Sequence, residues 1–159
     1  YVTKPNPFEE SPIDYYLPFQ FYDVDFDGEK ELLINNYERG QQGNGYDVFE
    51  ITDAGLEEKS YPPFDSVDNM MKFDNQSKII SCYMHDGSYY AMEVSYQKVD
   101  RISKQNLSIP NGLDDKLKNS LSNLEPDAPS DFHIVAAEIS MGEAEYKLKV
   151  QNGVWIYSL

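Results

Sequence analysis

Short runs of β-branched and aromatic residues alternate with polar turns along most of the chain. Two such runs flank Asn152-Gly153, the strongest short hairpin signal in the sequence, and two others flank the turn at residues 52–55. Strand-turn-strand units recur roughly every 10–15 residues, which is typical of antiparallel sheets. The pattern predicts a mostly β fold, with antiparallel hairpins in a propeller-like, sandwich or barrel arrangement.

One stretch departs from this pattern because its apolar positions repeat at helical spacing. Its leucines recur at intervals of four, four and three residues: Leu113, Leu117, Leu121 and Leu124. Polar residues separate them, and Pro126 follows, where a helix would end. The spacing predicts one amphipathic helix near residues 112–125, with its leucines on the core.

The first 18 residues differ from the rest because they contain Pro5, Pro7, Pro12 and Pro18. Prolines at this density favour extended backbone and exclude a regular helix. A chain of 159 residues is long enough for one ordinary domain. We therefore predict an extended, proline-rich segment over residues 1–18 and a single β-rich domain over residues 19–159.

The charge balance is strongly acidic, with 28 acidic and 13 basic residues and a net charge of −15. Such a charge repels phosphate backbones and anionic lipid, so nucleic acids and membrane surfaces are poor partners, whereas cations are good ones. The single cysteine, Cys82, rules out an intrachain disulfide. The sequence has no apolar run of about 18 residues, so no transmembrane segment is predicted in this chain.

Carboxylates are concentrated in one short acidic loop between two apolar runs. Its alternating residues and a following glycine fit the first positions of a calcium loop, because Ca²⁺ takes about six to eight oxygen ligands and the backbone must turn sharply after the third carboxylate. The predicted ligands are the carboxylates of Asp23, Asp25 and Asp27, the main-chain carbonyl of Glu29 and the carboxylate of Glu31, directly or through water. The spacing predicts one structural calcium ion. The alternative is an acidic surface hairpin that binds no ion.

The flanks of this loop exclude an EF-hand. An EF-hand carries a bidentate glutamate at its twelfth position and is bordered by helices. Here the twelfth position is Ile34, within a run typical of a buried strand, and residues 19–22 also alternate like a strand. We therefore expect a strand-loop-strand site.

The segment from Phe21 to Ile34 resembles the Asp-x-Asp-x-Asp-Gly-x-x-Glu-Leu loop of FG-GAP and VCBS-repeat proteins. It also resembles a family of small bacterial envelope proteins and lipoproteins, in which a glycine-rich turn and an aromatic strand follow, as residues 40–45 and 46–49 do here. The resemblance covers roughly residues 19–96. It implies a propeller-like or hairpin-stacked β fold, a structural calcium ion and export to the periplasm or cell surface, with lipid anchoring upstream left open. Unlike FG-GAP proteins, this chain has one good copy of the motif.

No catalytic residue is assigned, because the only histidines, His85 and His133, lack the spacing of a zinc site or a nucleophilic triad with Cys82. The sequence favours an exported, non-enzymatic binding module that recognises a protein or a glycan, including inhibition of an enzyme that attacks the envelope. A hydrolase, or an accessory domain, directed at polysaccharide or cell wall is the open alternative. Tyrosines such as Tyr89, Tyr90 and Tyr96 are predicted mainly to fill the core and sheet edges, with an exposed stacking platform as the alternative.

Overall fold

The computed structural model describes residues 11–14, 16–38, 45–86 and 89–158. The elements of this part of the chain are ten β-strands, one α-helix and one 3-10 helix. In chain order they are β1 (Phe19–Tyr22), β2 (Glu31–Asn36), β3 (Gly45–Thr52), β4 (Gly55–Lys59), the 3-10 helix (Phe64–Ser66), β5 (Lys72–Asp74), β6 (Ile79–Asp86), β7 (Tyr90–Ser103), α1 (Asp115–Asn123), β8 (Ser130–Met141), β9 (Ala144–Gln151) and β10 (Val154–Tyr157).

The strands form two antiparallel sheets in which each strand lies beside its neighbour in sequence. The first sheet has the order β1-β2-β3-β4, and the second has the order β10-β9-β8-β7-β6-β5. Neither sheet closes into a barrel in the described part of the chain. The prediction of a mostly β fold of antiparallel hairpins with one helix is confirmed. Residues 1–10 and most of the glycine-rich turn lie outside the described residues, so the predicted N-terminal segment and single-domain boundary stay predictions.

Two predicted turns connect strands as the sequence indicates. Thr52 pairs with Gly55 at the end of the β3–β4 hairpin. In the β9–β10 hairpin, Asn152 and Gly153 have φ angles of 51° and 75°. Both angles are positive, as a two-residue type I′ turn requires, and asparagine and glycine adopt them most readily.

The inner face of the second sheet is covered partly by the first sheet and partly by the helix. Leu33 and Val48 of the first sheet pack in one core cluster with Ile80 and Phe132 of the second sheet. A second cluster places Leu117 of α1 with residues further along the second sheet. The first sheet is thus fixed through its inner face, because burying that apolar surface stabilises its position.

Of the four leucines predicted to face the core, Leu113, Leu117 and Leu121 are buried and Leu124 is partly buried, and α1 is shorter than predicted, so Leu113 and Leu124 flank it. Leu117 and Leu121 have 0% and 1% of their surface exposed. The helix begins after Asp114, whose carboxylate accepts hydrogen bonds from the main-chain N–H groups of Lys116 and Leu117. This N-cap satisfies donors that have no partner within the helix. In the described part of the chain, no helix has the length and apolar character needed to cross a membrane.

Candidate metal centre

The acidic loop joins β1 to β2, so strands flank it on both sides. Its backbone turns through two residues of positive φ, Phe26 at 63° and Gly28 at 90°. A side chain at the second of these angles would strain the backbone, which explains the glycine at that position. The turn folds the loop back so that its alternating carboxylates converge.

Four carboxylates meet inside this turn. Each contributes an oxygen, and the four oxygens all lie within 4.8 Å of one another: Asp23, Asp25, Asp27 and Glu31. Asp25 and Glu31 have only 4% and 1% of their surface exposed. Buried carboxylates at this separation repel one another unless a cation offsets their charge. The arrangement could hold a metal ion.

Main-chain N–H groups of the loop fix the orientation of these carboxylates. Gly28 N donates to Asp23 Oδ2 at 2.9 Å, and Val24 N donates to Glu31 Oε2 at 2.8 Å. Glu29 N donates to Asp27 Oδ1 at 2.7 Å. These bonds leave each carboxylate with further lone pairs, since an ionised carboxylate accepts about four hydrogen bonds. The carboxylates are thus fixed in orientation and keep lone pairs that could bind an ion.

Two lysines approach the same loop from other elements. Lys59, at the end of β4, places its Nζ 2.7 Å from Asp25 Oδ2. Lys98, in β7, donates to the main-chain carbonyl of Asp25 at 2.7 Å. Lysines from both sheets therefore anchor Asp25, and through it the loop is tied to the body of the fold.

The charges around the cluster shift its pKa values in opposite directions. Burial raises the pKa of Glu31 to about 7, and the nearby carboxylates of Asp25 and Asp27 add to this effect. Burial also acts to raise the pKa of Asp25, but the hydrogen bond and charge of Lys59 outweigh it, so this pKa lies below its ordinary value. Asp25 thus stays ionised beside a lysine, whereas at Glu31 the N–H of Val24 and the charge of Lys59 only partly offset burial and the neighbouring carboxylates.

The structure brings together the side chains of the predicted ligands, except that of Glu29. Four of the five predicted residues contribute side chains to the cluster, whereas the side chain of Glu29 is exposed and lies outside it. The ligand predicted from Glu29 is its main-chain carbonyl, and that ligand stays a prediction. Lys59 and Lys98 are not identified from the sequence. The available signal is weak: Lys59 is a single basic residue that follows two glutamates in a short strand.

Cys82 and His85 do not form a nucleophile–base pair. Cys82 is buried and pairs with Val94, whereas His85 lies within β6 and pairs with Ala91. Residues three apart in a strand face opposite sides of the sheet, so these two side chains point apart. Cys82 has 5% of its surface exposed and belongs to the core cluster that contains Leu33 and Val48.

Within the described residues, the Ser103 hydroxyl lies 3.2 Å from His133 Nε2. The same Nε2 lies 3.0 Å from the main-chain carbonyl of Ser103, which can only accept a hydrogen bond. A hydrogen bond to this carbonyl requires Nε2 as the donor, and in that tautomer Nε2 would not accept a proton from the serine hydroxyl. The contact holds the ends of β7 and β8 together.

The tyrosines are divided between surface and interior. Tyr16 and Tyr89 are exposed, whereas Tyr96 packs against both core clusters. Tyr15 lies outside the described residues.

A cleft of about 260 Å³ opens beside the loop that follows α1. Its lining includes Tyr96 and Phe132, and it also includes three acidic residues, Asp65, Glu125 and Asp127. Its lining includes none of Asp23, Asp25, Asp27 and Glu31, the four carboxylates that we call the metal cluster.

No protein-family model matches the chain, and no curated protein sequence matches it. The solved structure of a Xanthomonas type IV secretion system related protein is similar, with a TM-score of 0.53 and 12% sequence identity. The similarity covers 92% of this chain and 62% of the Xanthomonas chain, so this chain spans less than two thirds of that protein's length. At this identity the similarity shows a shared fold.

Proposed function

We propose that this chain is an exported, non-enzymatic binding module in which one calcium ion holds the loop between β1 and β2. One observation carries the proposal: oxygens of Asp23, Asp25, Asp27 and Glu31 lie within 4.8 Å of one another, and the carboxylates of Asp25 and Glu31 are buried. A cation at their centre would replace their mutual repulsion with attraction, and so would fix the hairpin in one conformation.

Calcium suits this set of donors better than other common metal ions. The cluster offers only carboxylate oxygens, whereas zinc sites in proteins are built largely from cysteine and histidine. Mg²⁺ demands near-ideal octahedral geometry and usually keeps several waters, but Ca²⁺ accepts flexible arrangements of six to eight oxygens. The predicted carbonyl of Glu29 and water would complete such a shell.

Export is proposed on the acidic composition and on the resemblance of residues 21–34 to the calcium loop of FG-GAP proteins and small bacterial envelope proteins. The description of the Xanthomonas structure as a type IV secretion system related protein is compatible with an envelope location. Calcium is abundant outside the cytoplasm, so a Kd of about 10⁻⁴–10⁻³ M, as in extracellular modules, would keep the site filled.

A melting experiment tests the calcium role. At tenfold excess over its Kd, one ion adds about 1.4 kcal/mol, which raises the Tm of a domain of this size by about 3–6 °C. We expect this rise in calcium relative to chelator for the wild type, and a smaller rise for Asp27→Asn, which keeps the acceptor for Glu29 N. The matched control is Asp53→Asn, an exposed residue of the β3–β4 turn, and it should behave as wild type. Equal melting temperatures in calcium and chelator would refute the proposal.

A second candidate function is hydrolysis of polysaccharide or cell wall, favoured by the cleft that Asp65, Glu125 and Asp127 line. Two opposed carboxylates can act as acid and base on a glycosidic bond. If the cleft is catalytic, the purified chain hydrolyses soluble peptidoglycan, and Glu125→Gln or Asp127→Asn lowers the rate at least about 100-fold. If the purified chain does not hydrolyse peptidoglycan measurably, the hydrolase proposal fails and the binding module is the proposed function that stands.

A further inference from the structure

The face of the first sheet that points away from the core is apolar. Strand pairing aligns Phe19 with Ile34, and it aligns Phe21 with Leu32. Alternate residues of each strand share a face, so these side chains and their neighbours form one surface. We name this surface the outer face; its apolar residues are Phe19, Phe21, Leu32, Ile34, Phe49, Ile51 and Leu56.

These side chains are open to solvent to an unusual degree. Phe19, Phe21, Ile51 and Leu56 have 56%, 51%, 50% and 54% of their surface exposed. Single exposed apolar side chains are normal in proteins, but a contiguous patch across four strands marks an interaction surface. The patch is continuous because Leu32 and Phe49, paired at its centre, join the exposed residues of β1 to those of β4.

The outward side of the second sheet, by comparison, carries polar and charged side chains. On its outward side, Ser81 and Ser95 hydroxyls lie 3.0 Å apart. Lys147 and Glu138 place opposite charges 3.9 Å apart on the same side. An antiparallel sheet with one face in water alternates between apolar and polar residues in this way. The first sheet does not follow this alternation, because its outer face is also largely apolar.

The charged side chains on the outer face are acidic. Asp47 pairs with Ile34 and accepts a hydrogen bond from Asn36 Nδ2 at 3.1 Å, whereas the exposed Glu58 pairs with Phe49, so both carboxylates border the apolar residues. Within the four strands of this sheet, all of them described, the basic residue is Lys59, and its Nζ points inward to Asp25. A second copy of the chain would bring two acidic borders together and add to a net charge of −15 on each chain.

We propose that the outer face binds a partner protein that presents apolar side chains bordered by lysine or arginine. Charge complementarity selects such a partner over a second copy, because opposite charges across an interface favour association and like charges oppose it. The inference rests on the proposed binding role of the chain, and it names the surface that performs this role.

The metal cluster and the outer face share one hairpin. Glu31 and Leu32 are consecutive in β2, so Glu31 faces the metal cluster and Leu32 faces the partner. β1 and β2, which carry four of the seven apolar residues, are the strands that the acidic loop joins. An ion in the loop therefore orders the strands that present half of the outer face, and calcium should strengthen partner binding.

The experiment uses a synthetic amphipathic helical peptide of leucine and lysine as the probe. An amphipathic helix can lay its apolar stripe on the sheet while its lysines reach the carboxylates at the border. We expect saturable binding to the full chain, with NMR shifts centred on β1 to β4. Phe21→Ser should weaken binding about tenfold or more. Tyr83→Ser, on the outward side of the second sheet, is the matched control and should bind as wild type.

Two further peptides separate charge from apolar contact. A leucine–glutamate peptide should not bind, since its charges repel the border, and a serine–lysine peptide should bind at least about tenfold more weakly than the leucine–lysine peptide. Equal binding of the serine–lysine peptide, or shifts centred on the acidic loop, would overturn the proposal. So would a dimer that Phe21→Ser dissociates, or a soluble muropeptide that binds these residues in place of the peptide.

The variants also distinguish failure of this inference from failure of the proposed calcium role. If Phe21→Ser keeps its rise in Tm with calcium but binds the peptide as wild type does, the outer face is not the binding surface. If calcium leaves the Tm unchanged while Phe21→Ser loses the peptide, the surface stands and the calcium role fails. If Phe21→Ser does not fold, Leu56→Ser replaces it in both measurements, because Leu56 lies on the same face in β4, at the far edge of the sheet.

Discussion

Lys59 Nζ lies 2.7 Å from Asp25 Oδ2, and the two side chains are 9% and 6% exposed. This ion pair belongs to the metal cluster, because Asp25 contributes to both. A buried charge without a partner is costly, so the lysine supports the cluster when no ion is bound. It also competes with an ion, since it neutralises one of the charges that would attract calcium.

Removing Lys59 should therefore make the protein more dependent on calcium. We expect Lys59→Met to lower stability in chelator by about 3–5 kcal/mol, because it leaves a buried carboxylate unpaired. Calcium should stabilise Lys59→Met by more than it stabilises the wild type. The rise in Tm on adding calcium should therefore be larger for the variant. Thermal melts in calcium and in chelator measure both effects.

Lys30→Met provides the control, because Lys30 is an exposed lysine in the same loop. Its removal changes the net charge by the same amount without breaking a buried pair, so its stability should remain within about 0.5 kcal/mol of wild type. If calcium raises the Tm of Lys59→Met by no more than it raises the Tm of the wild type, the ion pair does not have this role.

Gly28 is a second position where the loop controls the cluster. An alanine at its φ of 90° meets no atom within 4 Å, so any loss arises from backbone strain. We expect Gly28→Ala to cost about 1–2 kcal/mol and to weaken calcium binding. Gly142→Ala, also at positive φ but in the β8–β9 turn, should lose stability without changing the response to calcium. Equal effects of both variants on calcium binding would argue against a role of Gly28 in shaping the site.

Much of the loop could be predicted from the sequence, because its signals are local. Asp23, Asp25 and Asp27 alternate, and Gly28 follows at the turn, so spacing alone places their side chains together. The strand at Ile34 likewise follows from an apolar run. Lys59 could not be predicted, because its approach to Asp25 depends on the pairing of β4 with β3 and on the packing of the sheet, which no short pattern encodes.

The outer face also lay beyond sequence reasoning. Alternation of apolar and polar residues predicts which face of a strand is buried, but β1 reads Phe-Gln-Phe-Tyr and gives the opposite orientation from the one observed. Phe19 and Phe21 are about half exposed, while the intervening Gln20 faces the interior side. The rule fails there because it assumes that every large apolar residue faces the core.

The helix offers an independent test of the fold away from the metal cluster. Asp114 accepts hydrogen bonds from Lys116 N at 2.9 Å and from Leu117 N at 3.4 Å. We expect Asp114→Ala to lower the free energy of unfolding by about 1 kcal/mol, and Asp114→Asn to lose little, because asparagine caps a helix about as well. Denaturant unfolding of the two variants checks this. An Asp114→Asn variant as unstable as Asp114→Ala would show that the carboxylate acts by another route.

Asp68 should give the protein a specific dependence on pH. Burial raises the pKa of this carboxyl group, although N–H groups of Met70 and Met71 oppose the shift. The folded state therefore holds the proton more tightly than the unfolded chain, whose aspartates titrate near about 3.9. The stability contributed by protonated Asp68 is fully present below that value and is lost as pH rises through the raised pKa of the folded state.

Asp68→Asn removes this titration and keeps an oxygen for Met70 N. We expect the stability of wild type relative to Asp68→Asn to be greater at pH 4 than at pH 7, measured by urea unfolding in chelator. The other acidic groups titrate in both proteins and cancel in the difference. A difference that is constant over this range, or that grows toward pH 7, would be inconsistent with the raised pKa.

Isothermal titration of the chelator-treated chain with calcium measures whether the loop between β1 and β2 holds one calcium ion. We expect a single site per chain with a Kd of about 10⁻⁴–10⁻³ M or tighter, with binding weakened in Asp27→Asn and unchanged in Asp53→Asn. No saturable binding at millimolar calcium, or equal binding by the two variants and the wild type, would contradict it.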